Sequence, residues 1–78
     1  MIGGEAAWRE WARIPEGHVK AQALRQKWFY VVESYLEDST ELAPVPTRWA
    51  ISPRDMIQIA NRAARQGYAP YVRCVRLP

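Results

Sequence analysis

The chain is poor in the residues that most chemistry requires. It has one cysteine, Cys74, and one histidine, His18, among 78 residues. A single cysteine excludes an internal disulfide and fits a reducing compartment. One His and one Cys fall short of the three or four ligands of a metal site. A Cys74–His18 catalytic pair would need an orienting third group, and no motif around either supplies one. Val72 and Val75 flank Cys74, so it is expected to be a small buried hydrophobe. Glycine is scarce too: Gly3-Gly4 is too short for a phosphate-binding loop and has no strand before it. The longest apolar run, Trp28 to Val32, is far below the length of a membrane span. The first residues have neither a basic start nor an apolar stretch, so no signal peptide is expected. A cytoplasmic protein with no cofactor and no membrane contact is the expectation.

What is present is aromatic and charged. Four Trp, four Tyr and one Phe supply bulk to a chain that buries only about 60% of its unfolded surface. Hydrophobic residues make up 49% and charged residues 24%, a globular balance rather than a disordered one. The formal net charge of +3 is unevenly spread. Residues 1–26 are nearly balanced. Residues 27–46 set Lys27 against Glu33, Glu37, Asp38 and Glu41. Residues 47–78 set Arg48, Arg54, Arg62, Arg65, Arg73 and Arg76 against Asp55 alone. No lysine follows Lys27. Arginine favours bidentate recognition of carboxylate or phosphate and stacks on rings.

Periodicity predicts one α+β domain, residues 1–78. Residues 4–14 read as a helix that Pro15 ends, and Val19 to Gln26 as further helical turns, giving a helical N-terminal segment over 1–26. Residues 27–78 read as a β-β-α-β unit: a small antiparallel sheet of about three strands with one well-capped helix packed on it. Trp28–Leu36 is the difficult segment. Its residues are β-formers, yet Leu24, Trp28, Val31 and Tyr35 also share a helical face. A C-terminal strand needs a ladder partner, and this stretch is the best one available. Glu37 to Pro46 reads as a loop, where the acids form a solvated patch, and Thr47 to Ile51 as a short strand. Ser52 to Gly67 is the clearest helix, with Ser52 as N-cap, Pro53 in the first turn and Asp55 completing a capping-box-like pattern. Met56, Ile59, Ala60 and Ala63 form its core stripe, and Gly67 ends it. Tyr68-Ala69-Pro70 is expected to be a turn before a strand from Tyr71 to Leu77. Trp8 and Trp11 lie three apart, and at least one is expected in the core.

Three features carry the resemblance of this unit to a known family. They are Trp28-Phe29-Tyr30-Val31-Val32-Glu33-Ser34, then Ala50-Ile51-Ser52 entering the helix, then Val72-Arg73-Cys74-Val75-Arg76. In that order they resemble the small phage-encoded inhibitors of bacterial RNA polymerase found in T7-like viruses. The likeness spans about two thirds of the chain and leaves residues 1–26 without a counterpart. It implies a phage-encoded protein whose acidic and arginine-bearing surfaces contact the polymerase, with Glu33, Arg73 and Arg76 among the contacts.

The residues themselves point to binding rather than catalysis. Arg54, Arg62 and Arg65 share the outer face of the predicted helix. Arg73 and Arg76 follow on the last strand, and Trp49 and Tyr71 offer rings nearby. Arg, Trp and Tyr together are the composition of protein-interface hot spots. The expected function is a non-catalytic protein-binding inhibitor or adaptor acting on a host protein complex, RNA polymerase or a CRISPR effector. The alternative is a small nucleic-acid binder using the same arginines on phosphates. The plain alternative is a solvated face. Whether the chain acts as a monomer or a homodimer is open.

Overall fold

The structure, a computed structural model, describes residues 2–78. Its elements run α1 (Ile2–Arg13), α2 (His18–Gln26), β1 (Trp28–Leu36), β2 (Arg48–Ala50), α3 (Pro53–Arg65) and β3 (Tyr68–Arg76). The α+β architecture with an antiparallel three-stranded sheet is as expected. The sheet order is β2-β1-β3, so β1 is central and both other strands are edges. β1 pairs with β2 through Val31↔Trp49 and with β3 along its whole length, from Trp28↔Arg76 to Leu36↔Tyr68.

β1 settles as a strand because both of its faces are covered. Side chains alternate across a strand. Phe29 and Val31, both fully buried, point to the face covered by the N-terminal helices. There they join Ala7, Ile14, Ala23 and Leu77, with Trp11, Val19, Trp49, Ile51 and Val75 packed around them. Val32, Ser34 and Ala50 are buried on the other face, where Ser34 and Arg48 share a cleft with Ile59 and Ala63 of α3. The segment 2–26 is therefore a structural layer: α1 and α2 cover one face of the sheet and α3 the other.

Local chemistry places the helices. Pro15 follows α1, and Gly17, at φ 148°, opens α2 in a conformation that favours glycine. The α1–α2 turn is held by Trp11, whose Nε1 donates to the Lys20 carbonyl at 3.1 Å, and by Lys20, 4.7 Å from the Trp11 ring. Trp11 is half-buried against the core, and Trp8 is 38% exposed. Gln26 ends α2 by donating at 3.0 Å to the carbonyls of both Trp28 and Ile51, which ties α2 to β1 and to the exit of β2. In α3, the Ser52 hydroxyl accepts from the Asp55 N–H at 3.2 Å, and Gly67 leaves the helix at φ 88°. Of the α3 stripe, Ala63 is buried while Met56, Ile59 and Ala60 are half-buried.

Two expectations are corrected. Tyr68-Ala69-Pro70 is not a turn: β3 begins at Tyr68, directly after Gly67. Proline is tolerated there because β3 is an edge strand, where a missing N–H need not interrupt a ladder. Cys74 is exposed, not buried. It lies on the α3 side of the sheet, opposite Tyr30, and remains open to solvent there. The 37–46 segment is a loop as expected, pinned to β1 by the Ala43 N–H donating to the Ser34 carbonyl and by a Tyr35↔Leu42 bridge.

The cap on α3 is open to direct test. Ser52→Ala removes the hydroxyl acceptor and leaves the Asp55 N–H to water. A loss of about 1 kcal/mol is expected in chemical denaturation, with the far-UV circular dichroism spectrum unchanged.

Candidate functional site

The arginines separate according to which side of the sheet their elements face. Arg54, Arg62 and Arg65 are exposed on α3 as expected. Arg48 joins them from β2. It points to the α3 side and lines two clefts with Arg62, of about 250 and 240 Å³. None of these four takes part in an ion pair among the described residues. Arg62 and Arg65 also sit in the last turn of α3, where cations complement the helix dipole.

Arg73 does not continue this row. It pairs with Val31, so it faces α1 on the opposite side of the sheet. Its Nη2 donates to Glu10 Oε2 at 3.0 Å and to Glu33 Oε1 at 3.3 Å. Glu10 also holds Arg13. The carboxylates are largely shielded, with side chains 14% and 16% exposed, and the guanidinium is 37% exposed. Burial acts to lower the Arg73 pKa. The hydrogen bond and charge of Glu10, then those of Glu33, outweigh it and hold the pKa above the ordinary arginine value. A raised basic pKa gives stability that is complete below the unfolded-state value and lost only as pH rises through the folded one. For arginine that window lies in strong alkali, so Arg73 is a cation at every physiological pH.

The remaining expected residues scatter. Glu33 is locked to Arg73. Arg76 is exposed on the same side of the sheet as α3, opposite Trp28, whose ring meets Tyr30 edge-on at 5.4 Å. Trp49 is half-buried on the other side. It packs against the core with Arg13 5.7 Å above its ring, and its Nε1 is buried without a partner. Tyr71 is 54% exposed and meets Tyr35 edge-on at 6.4 Å beside Ser39, Thr40 and Pro70. The structure thus unites Arg54, Arg62 and Arg65, adds Arg48, places half-buried Trp49 at the cleft that Arg48 and Arg62 share, and separates them from Arg73, Glu33 and Tyr71. Strand alternation in the sequence carries the signal that divides Arg48 from Arg73, once the register is known.

An opening of about 700 Å³ lies between the α1–α2 turn and β2, lined by Arg13, Pro15, His18, Pro46, Arg48 and Trp49. Among the described residues no three His, Cys, Asp or Glu side chains converge for a metal ion. No helix among them is long and apolar enough to cross a membrane. Compared with known proteins, the chain matches no family model, no curated protein and no solved structure.

Arg73→Ala removes the cation that Glu10 and Glu33 share. Stability is expected to fall by about 1–2 kcal/mol, less than for a fully buried pair because the guanidinium is partly hydrated. In a domain this small, that lowers the melting temperature by about 5–15 °C. Arg65→Ala, with no ion pair to lose, should leave the melting temperature nearly unchanged.

Proposed function

We propose that the protein is a non-catalytic binding domain, an inhibitor or adaptor, that docks on an acidic surface of a larger host protein assembly through the α3 arginine row. One observation carries this reading. Arg9, Arg13, Lys20 and Arg73 are each neutralised by a carboxylate of this chain; among the described residues Arg25, Lys27, Arg48, Arg54, Arg62, Arg65 and Arg76 are left without one, and four of these seven, Arg48, Arg54, Arg62 and Arg65, gather on α3 and the adjoining β2. From Arg54 to Arg65 the helix rises about 16 Å, a span suited to one side of a modest interface. The row carries charge without an exposed aromatic anchor, since Trp49 at its cleft is half-buried in the core and Tyr71 lies on the other side of the sheet. Such a surface acts chiefly on association rate and register, and its affinity weakens with salt.

Host RNA polymerase is the first partner to test, because the resemblance of the β-β-α-β unit implies it, and a phage origin goes with that implication. A CRISPR effector is the second. Nucleic acid is the alternative, favoured by the same unpaired arginines. With no exposed ring beside the row, a duplex backbone suits it better than stacked single-stranded bases.

The test compares wild type with the triple charge reversal R54E/R62E/R65E and with Arg9→Ala, an exposed position on α1, as a folded control. Purified RNA polymerase should bind wild type, lose at least about tenfold in affinity for the triple variant, and keep its affinity for the control. Equal binding of wild type and triple variant would sink the reading. A gel shift of duplex DNA at low salt, abolished in the triple variant, with no polymerase binding, would transfer the site to nucleic acid.

A further inference from the structure

β3 is a nine-residue edge strand with a free side. The ladder fixes which backbone groups point there. The Leu77 N–H donates to the Lys27 carbonyl at 2.8 Å, so that pair is bonded. In an antiparallel ladder bonded and non-bonded pairs alternate. Ala69, Tyr71, Arg73 and Val75 therefore bond to β1, while Tyr68, Pro70, Val72, Cys74 and Arg76 turn their backbone groups away from it. β1 agrees: the carbonyls of Ser34 and Trp28, opposite Pro70 and Arg76, accept from Ala43 and Gln26 on the β2 side. Pro70, which has no N–H, falls in the outward set and costs the β1–β3 ladder nothing. The outward N–H groups of Val72, Cys74 and Arg76 have no acceptor among the described residues. Side chains at Pro70, Tyr71, Cys74 and Arg76 are exposed, while Ala6, Ala7 and Glu10 of α1 flank Arg73 to Arg76 from one face.

We propose that this edge pairs with β3 of a second copy of the chain, antiparallel across a two-fold axis at Cys74. A two-fold makes an isologous contact, so the strand must complement itself. Among the possible centres, the side chains select Cys74. An axis at Arg73 sets two guanidinium groups directly opposite each other, which destabilises a pair. An axis at Val72 drives the Pro70 ring against the carbonyl of Cys74 of the second copy, inside the ladder on both sides. An axis at Val75 leaves Val72 facing Pro78, which has no N–H to return. With the axis at Cys74, Val72 faces Arg76 of the second copy, Cys74 faces itself, and Arg76 faces Val72. Each facing pair can exchange two hydrogen bonds, and Pro70 drops to the end of the ladder. No like charges are opposed. Two three-stranded sheets become one of six strands, and the exposed edge is removed.

The register places the two Cys74 Cα atoms about 5.5 Å apart. Because Cys74 is the chain's single cysteine, a short bis-maleimide should convert wild type to covalent dimer, and sedimentation should show dimer rising with concentration. Cys74 is exposed, so Cys74→Lys and Cys74→Glu are expected to fold. Each alone sets like charges on the axis and should weaken self-association about fivefold or more. Mixing the two should restore a dimer of one copy of each. Wild type that stays monomeric up to millimolar concentration overturns the proposal and leaves the edge to an extended segment of another protein. A dimer that resists the cross-linker, or mixed variants that do not recover association, overturns it in favour of a different contact. None of these readouts involves the α3 arginines.

Discussion

Covering β1 on both faces and both edges is the constraint that organises this chain. Phe29 and Val31 need one apolar layer and Val32 needs another. The N-terminal helices supply the first and α3 the second. The backbone of β1 needs partners on two sides as well. β3 meets one along its full length. On the other side, β2 is only three residues long, so the Ala43 N–H and the Gln26 side chain take up the carbonyls beyond its ends. A chain with so little interior cannot leave a large side chain such as Phe29 half-covered, and this explains why segments that look peripheral are integral to the core. Ile14, just before the α1–α2 turn, and Leu77, just past β3, are both in it.

The same strand sorts the charges. Alternation across the sheet sends Glu33 and Arg73 toward α1, where Glu10 waits, and sends Arg48 toward α3. Of the basic groups on the N-terminal side, Arg9, Arg13, Lys20 and Arg73 find carboxylates there, and Arg25 and Lys27 do not. Those on the α3 side do not, because Asp55 is the one acid of the last 32 residues and it lies in the first turn of the helix. An internally balanced half and an unbalanced half result. The net charge of the chain resides mainly in a surface that the fold itself does not use.

Sequence patterns with a local cause were legible. Ser52, Pro53 and Asp55 define the start of α3 through contacts within one turn, and Gly17 and Gly67 mark breaks by their own backbone freedom. β1 was readable only through an argument about pairing, since its composition suits two periodicities. The misread positions are those decided at long range. Pro70 looks like a turn residue until the ladder shows its nitrogen facing outward. Cys74 looks like a core residue because Val72 and Val75 stand near it in sequence, but it lies on an edge strand and is exposed. Arg73 looks like a surface arginine because its partner Glu10 lies 63 residues away in the chain. The candidate site was legible to the extent that it rests on helical spacing, and not where it depended on sheet register.

The two edges of the sheet have different consequences. The unpaired arginines gather along α3 and the β2 side, and the free backbone row lies along β3, at the other end of the strand order. Antiparallel joining of two β3 strands requires a two-fold perpendicular to the sheet. Such an axis keeps like faces together, so both α3 helices would lie on one side of the six-stranded sheet. Their arginine rows would then face the same way, toward the two ends of the sheet, at a fixed separation. A single row binding by charge alone is weak and sensitive to salt, but two rows on a rigid frame make the second contact intramolecular once the first has formed. Self-pairing at β3 would thus give the α3 surface avidity that its own chemistry does not provide, without adding a contact to either row.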